Sequence, residues 1–140
     1  MDYDLNRFLA AQEKKYNVAL EEIKHGFKCS HWMWFIFPQH KDLGMTTTSK
    51  FYGIKNLTEA KQYLNHPVLG KRLREISAEL LRHKEKSAED IFGYLDALKL
   101  RSCMTLFDLA EPDAVFGEVL RTFYDGQKDV ITLKLLNLHD

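Results

Sequence analysis

One segment, residues 31–39, constrains the fold more than any other part of the chain. It reads His-Trp-Met-Trp-Phe-Ile-Phe-Pro-Gln and contains both tryptophans of the protein. Aromatic side chains bury roughly 150–250 Å² each, so the segment belongs either in the centre of a core or in the wall of a pocket. It is far too short to span a bilayer. Both alternating sets of positions in residues 32–37 are apolar, so periodicity alone does not distinguish helix from strand.

Outside this segment the apolar side chains recur with a helical period. In the first part of the chain they include Phe8, Tyr16 and Ile23. This spacing predicts one helix over residues 5–25, or two helices with a break near Glu13. Further helices are predicted over residues 57–64, 67–80, 87–92, 95–109, 112–126 and 130–136.

The remaining segments complete the predicted fold. Residues 41–50 contain one glycine and three threonines and are predicted to form a loop. Segment 31–37 has helical neighbours and no clear partner strand, which favours a buried helical turn. The sequence therefore predicts an all-α fold for residues 1–140. We expect a compact single-domain bundle of about six to eight mostly short helices, with the aromatic segment 31–37 in the core.

The charge balance argues against two classes of partner. The chain carries 20 lysines and arginines against 20 aspartates and glutamates. It therefore lacks the overall basic surface that binds nucleic acid or an anionic membrane. The most basic stretch, residues 68–86, has glutamates interleaved with its lysines and arginines, which is typical of a solvated helix face. We expect neither nucleic acid nor a membrane as a partner.

The cysteines and the N-terminus indicate the compartment. Two cysteines are too few for a typical secreted disulfide scaffold, and the acidic N-terminus lacks an apolar signal core. We therefore expect a cytoplasmic protein. No His or Cys cluster has the spacing of metal ligands, and no glycine-rich nucleotide motif is present. The sequence predicts no metal and no cofactor, and it leaves the oligomeric state open.

The polar edges of the aromatic segment are candidate site residues. His31 is a candidate general acid or base, or a histidine that orders the turn before the segment. Trp32 and Trp34 offer faces for stacking a planar ligand, but at least one is expected in the core. Gln39 presents a donor and an acceptor that suit an amide or a base, and it equally suits the satisfaction of loop carbonyls.

A second set of candidates lies on the helix predicted over residues 95–109. Arg101 and Thr105 share one helical face, and Ser102 lies beside it. An arginine with neighbouring hydroxyls suits a phosphate or a carboxylate, which its guanidinium binds in bidentate geometry. The alternative is an ion pair of Arg101 with Asp108, with Asp96 or with a glutamate of the first helix.

Long strings of residues give the chain a resemblance to a known family. They include Ser30 to Gln39, His66 to Leu73, Ile91-Phe92-Gly93 and Leu98 to Phe107. The chain resembles a bacterial family of domains of unknown function, number 1810 in that series, often mislabelled calpastatin. The resemblance covers almost the whole chain. It implies a small, single-domain, all-helical protein and no established activity. A calpain inhibitor repeat is polar and disordered, whereas 45% of these residues are hydrophobic, so the calpastatin label fits poorly.

These observations support two hypotheses of function. The first is a site for a small anionic or nucleotide-derived metabolite between segment 31–39 and the helical segment 101–105, with His31 available for catalysis. The second is a protein- or peptide-interaction module that uses an aromatic groove. The first depends on the two polar sets meeting in the fold, and the second depends on an exposed apolar surface.

Overall fold

The computed structural model describes residues 3–137. Over that range the chain forms nine α-helices and one 3-10 helix, and an isolated parallel bridge joins His40 to Ile54. The α-helices are α1 (Asn6–Lys24), α2 (Met33–Ile36), α3 (Thr47–Phe51), α4 (Leu57–Asn65), α5 (Leu69–Leu80), α6 (Ala88–Phe92), α7 (Tyr94–Ala110), α8 (Val115–Tyr124) and α9 (Val130–Asn137), and the 3-10 helix is Leu81–His83. The predicted all-α class is confirmed, with one α-helix more than the expected range.

Helix α7 lies at the centre of the bundle and packs against α4, α6, α8 and α9. Its predicted apolar stripe is fully buried and consists of Leu100, Cys103, Met104 and Phe107. Since side chains three and four residues apart share a helix face, burial of this stripe directs the neighbouring positions to other surroundings. One of those positions, Arg101, reaches a surface groove.

Two helices begin at side-chain caps that the sequence predicts. Asn56 accepts a hydrogen bond from the backbone N–H of Glu59 at 2.9 Å and thereby caps α4. The Glu59 carboxylate accepts from the backbone N–H of Lys55 at 2.7 Å, one residue before the position expected in a capping box. At α6, Ser87 and Asp90 form a complete capping box.

The predicted single helix over residues 5–25 is confirmed against its two-helix alternative, and two other local predictions differ from the structure. Helix α1 runs through Glu13 without a break and stops before Gly26, whose φ is +78°. The second half of the predicted loop 41–50 is wrong, because Thr47–Phe51 forms α3. Thr46 begins this helix by accepting a hydrogen bond from the backbone N–H of Ser49 at 3.0 Å. Helix α8 begins at Val115, three residues after the Pro112 start that was predicted.

The aromatic segment is a single helical turn in the core, as predicted. Trp32, Met33, Ile36 and Phe37 are buried around α2. Trp34 lies on the opposite side of this turn and is half-buried. The turn therefore separates the two indoles, so that one stabilises the core and the other borders the surface.

Gln12 ties this turn to the rest of the bundle. Its side-chain amide donates hydrogen bonds to the backbone oxygen of Phe35 at 2.7 Å and to the hydroxyl of Tyr63 at 3.0 Å. Its amide oxygen accepts from Arg72 of α5 at 3.3 Å. Gln12 is 1% exposed, and a buried amide without partners would cost about 1–3 kcal/mol. These bonds connect α1 with α2, α4 and α5.

The carboxylate of Glu22 fixes the chain that enters the aromatic turn. It accepts hydrogen bonds from the backbone N–H groups of Cys29 at 2.7 Å and Ser30 at 3.0 Å. It also accepts from the Ser30 hydroxyl at 2.5 Å and from the indole N–H of Trp32 at 2.9 Å. Burial alone would raise the pKa of Glu22, but these four hydrogen bonds outweigh it and lower the pKa from 4.5 to about 2.

We predict that Glu22→Gln lowers the free energy of unfolding by about 1–2 kcal/mol at pH 7, because a neutral amide replaces a carboxylate that accepts charge-assisted hydrogen bonds. The folded pKa lies below the unfolded value of 4.5. The contribution of Glu22 is therefore complete above that pH and is lost as the pH falls towards 2. Urea denaturation at several pH values measures the difference from the natural protein.

Glu21→Gln is the matched control, since the Glu21 side chain is 63% exposed and only 3.9 Å from Lys24 in a surface ion pair. We expect it to change stability by less than about 0.5 kcal/mol. An equal loss in both variants, or a Glu22→Gln difference that does not shrink in acid, would contradict the role given to Glu22.

A second prediction concerns the two indoles. Trp32 is 1% exposed, whereas Trp34 is half-buried beside a surface groove. We expect iodide to quench the fluorescence of Trp34 and to leave that of Trp32 almost unchanged. Trp34→Phe should therefore retain only protected emission, and Trp32→Phe only quenchable emission. Equal quenching constants for the two variants would show that the aromatic turn is placed differently.

Candidate functional site

The candidate residues line two adjoining depressions on the surface. The first is an open groove of about 420 Å³, here called the Arg101 groove, lined by Trp34, Gln39, Leu43, Leu95, Leu98, Lys99, Arg101, Ser102, Asp129 and Ile131. The second is a hollow of about 220 Å³, here called the His31 hollow, lined by Lys28, His31, Trp32, Met33, Trp34, Phe35, Thr48, Asp96 and Lys99. Trp34 and Lys99 line both.

The guanidinium of Arg101 is the main cation of the Arg101 groove. Its Nε is buried and has no hydrogen-bond partner among residues 3–137. Its Nη2 lies 3.8 Å from Oδ1 of Asp129, which is an ion-pair contact but is too long for a hydrogen bond. The structure thus pairs Arg101 with Asp129 rather than with Asp108, Asp96 or a glutamate of the first helix, which are the alternatives that the sequence offers. Arg101 therefore retains donor capacity towards the groove.

Thr105 occupies a position between Arg101 and Asp129. It is fully buried, and its hydroxyl donates to the backbone oxygen of Arg101 at 2.8 Å. The same hydroxyl accepts from the backbone N–H of Asp129 at 2.9 Å. Thr105 thus joins α7 to the segment that precedes α9. It does not line the Arg101 groove, so these contacts position other residues and leave no surface for a ligand.

Gln39 and Ser102 lie on the inner wall of the Arg101 groove. Gln39 is held by its backbone, whose oxygen accepts from the N–H of Ile54 at 2.9 Å beside the isolated bridge. The Ser102 hydroxyl donates back to the backbone oxygen of Leu98 at 3.2 Å. Both residues are nearly buried. The structure thus brings Trp34, Gln39, Arg101 and Ser102 together in one groove.

A charged network lies where the two depressions meet. Asp96 binds Lys28 at 2.9 Å through one oxygen and Lys99 at 3.1 Å through the other. The Lys99 ammonium lies 4.4 Å from the ring centre of Trp34 in a cation–π contact. Burial alone would raise the pKa of Asp96, but hydrogen bonds from Lys28 and Lys99 hold it below its ordinary value. These contacts fix the ring of Trp34 between the depressions.

The His31 hollow contains the other two candidates. His31 is exposed at the edge of the hollow. Trp32 is 1% exposed and contributes only a small part of the hollow's surface, and its indole N–H is bound to Glu22. His31 and Arg101 line different depressions, so the structure does not bring them to one cavity. They are related through Trp34 and Lys99, which border both.

Several residues of the Arg101 groove carry no signal in the local sequence. Asp129 comes from the segment before α9, and only the tertiary fold brings it to α7. Leu95 and Ile131 form an apolar rim and are 68% and 59% exposed. In the sequence both are ordinary apolar residues of predicted helices, so nothing in the local pattern marks them as exposed.

Other features of the described residues offer less chemistry. A larger groove of about 500 Å³ lies beside the end of the described chain and is lined by Lys55, Asn56, Leu57, Thr58, Leu109, Leu136 and Asn137, none of them a candidate residue. Within residues 3–137 no group of three or more His, Cys, Asp or Glu side chains could hold a metal ion. Cys29 and Cys103 are not bonded to each other, and burial raises the pKa of the Cys103 thiol, which disfavours the reactive thiolate.

The described helices include none that is long and apolar enough to cross a membrane. No curated protein matches the sequence. The fold is similar to the crystal structure of the conserved hypothetical protein Rv1873 from Mycobacterium tuberculosis. The two are 43% identical, with a TM-score of 0.94 over 96% of this chain and 97% of the other. The family model described as "Protein of unknown function (DUF1810)" matches residues 2–136, and the chain therefore belongs to that family.

Proposed function

We propose that this protein binds a small anionic, nucleotide-derived metabolite in the Arg101 groove. One observation carries the proposal: the buried Nε of Arg101 has no partner among the described residues, and the ion pair with Asp129 is too long for a hydrogen bond. An unsatisfied buried donor costs about 1–3 kcal/mol. The Arg101 side chain is 30% exposed, and its terminal N–H groups are available to an anion in the groove. A phosphate or carboxylate suits the planar guanidinium best, because it accepts two hydrogen bonds in parallel.

The other side chains of the Arg101 groove favour a ligand with a planar part. Trp34 offers an aromatic surface that is held in place by Lys99, and stacking on such a surface stabilises a base by about 1–3 kcal/mol. Gln39 provides an amide that suits the edge of a base. The volume of about 420 Å³ lies within the usual range of roughly 300–1,000 Å³ for small-molecule sites.

A catalytic role for His31 would require the ligand to extend past Trp34 into the His31 hollow. Its exposed imidazole is the group of that hollow best suited to move a proton. We infer that binding depends on Arg101, and that any chemical step depends on His31. The two free cysteines support a reducing compartment such as the cytoplasm for this activity.

We predict that adenosine 3′-monophosphate, used as a probe, quenches the fluorescence of Trp34. Arg101→Gln should weaken its binding about tenfold to a hundredfold, because the loss of charge-assisted hydrogen bonds removes about 1.5–3 kcal/mol. Adenosine, which lacks the anion, should bind the natural protein and the variant equally weakly. Fluorescence titration in the Trp32→Phe background isolates the signal of Trp34, and calorimetry on the unmodified protein checks the affinity.

Arg82→Gln is the matched control, because the side chain of Arg82 is 76% exposed and lies outside both depressions. It should leave the affinity unchanged. His31→Asn should also leave it unchanged, since His31 does not line the Arg101 groove. If adenosine 3′-monophosphate fails to bind, or binds Arg101→Gln as tightly as the natural protein, the proposal is wrong.

A second candidate function follows from the rim of the same groove. Leu95 and Ile131 are exposed apolar side chains, and a partner helix would bury them on docking. A fluorescent helical peptide with one glutamate between two leucine pairs tests this function. If binding of the peptide depends on Arg101, and adenosine 3′-monophosphate neither binds nor competes with it, the Arg101 groove is a protein-docking surface.

A further inference from the structure

Three hydrogen bonds hold Asp129 in place. Its backbone N–H donates to the Thr105 hydroxyl at 2.9 Å. Its Oδ2 accepts two hydrogen bonds from Thr132, from the backbone N–H at 2.9 Å and from the hydroxyl at 2.6 Å. The backbone of Asp129 is therefore tied to α7 and its carboxylate to the first turn of α9, so the orientation of the carboxylate is fixed before any ligand arrives.

These bonds occupy one carboxylate oxygen and leave the other directed towards the arginine. Oδ1 of Asp129 lies 3.8 Å from Nη2 of Arg101, and both residues line the Arg101 groove. The two groups are thus close enough to attract each other and too far apart for a hydrogen bond. The groove presents a strong donor and a strong acceptor side by side.

This pair restricts which anions can bind. An anion on Arg101 would bring its own oxygen close to Oδ1 of Asp129, and two anionic oxygens in contact repel each other. The repulsion is removed when the ligand carries a hydrogen-bond donor next to its anionic group, because that donor can bind Oδ1. A buried acceptor that stays unpaired after a ligand has displaced water disfavours the complex.

We propose that Asp129 is a specificity-determining residue, which selects anions with a hydrogen-bond donor on the adjacent carbon. A ribose phosphate with a free hydroxyl beside the phosphorylated carbon has this arrangement, and so does an α-amino acid. The aromatic surface of Trp34 and the amide of Gln39 favour the ribose phosphate of a nucleotide. This inference rests on the proposed function, because it requires an anion on Arg101.

Matched probes test the inference without any variant. Adenosine 3′-monophosphate carries a 2′-hydroxyl next to its phosphate, and 2′-deoxyadenosine 3′-monophosphate lacks it. We expect the first to bind the natural protein at least fivefold more tightly, as measured by calorimetry. L-leucine and 4-methylpentanoate form a second pair, with and without the adjacent ammonium group, and their affinities distinguish an amino acid from a nucleotide as the ligand class.

Asp129→Asn tests the residue itself. The amide oxygen can replace Oδ2 as the acceptor for Thr132, and the amide NH₂ then faces the ligand where the carboxylate oxygen was. The preference for the 2′-hydroxyl should disappear, so that the affinities for the two nucleotides differ by a factor of about one, while Arg101 still binds the phosphate. Asp108→Asn is the control, because Asp108 lies on α7 in an ion pair with Lys128 at 3.3 Å and does not line the Arg101 groove. It should keep the full preference.

The outcomes separate this inference from the proposed function. Equal affinity of the natural protein for the two nucleotides, with a loss of both in Arg101→Gln, overturns the role of Asp129 and retains the anion site. An unchanged preference in Asp129→Asn also overturns that role. Failure of all four probes to bind overturns both proposals. If Asp129→Asn does not fold, as judged by circular dichroism, the two probe pairs on the natural protein still decide.

Discussion

The carboxylate of Glu22 holds together the part of the molecule on which the candidate site depends. It accepts four hydrogen bonds, and through Cys29 and Ser30 it fixes the chain that leads from α1 into the aromatic turn. The fourth bond holds the indole of Trp32, which then fills the core against Phe37 and Phe92. Side chains two positions apart on a helical turn point to nearly opposite sides. Burial of Trp32 on one side therefore places Trp34 at the surface. The orientation of Trp34 is thus a consequence of the hydrogen bonds that Glu22 accepts on the other side of the turn.

Helix α7 supplies side chains both to the core and to the Arg101 groove. Its apolar stripe, from Leu100 to Phe107, packs into the bundle centre, and Lys99, Arg101 and Ser102 line the groove. The central position makes this helix rigid, since it packs against four others. Charged groups on such a helix lose little further conformational entropy when a ligand binds, which favours a preformed site. The side chains that supply the core and those that could supply the chemistry therefore depend on the same element.

Local patterns predicted most of the helices and four of the ten residues that line the Arg101 groove. The caps at Asn56 and Ser87 and the buried stripe of α7 follow from spacing within a few residues, and the structure contains them. The helical turn of segment 31–37 follows instead from its helical neighbours and from the lack of a partner strand, and it is present as well. Helix α3 was missed because its threonine-rich composition resembles a loop. The roles of Glu22 and Asp129 were missed because both depend on tertiary contacts: Glu22 binds residues seven to ten positions away, and Asp129 reaches Arg101 across α8 in sequence. Spacing on one helix cannot indicate such partners.

The arrangement around Arg101 is poorly explained by stability alone. A hydrogen-bonded ion pair would stabilise the bundle more than a buried Nε without a partner and a carboxylate 3.8 Å away. Thr105 and Thr132 prevent that closer contact, because they hold the backbone and one oxygen of Asp129 in place. The same restraint keeps the donors of Arg101 available to a ligand. A local loss of stability beside unpaired donors is the pattern expected of a functional site rather than of a structural ion pair, and it supports the proposed anion site.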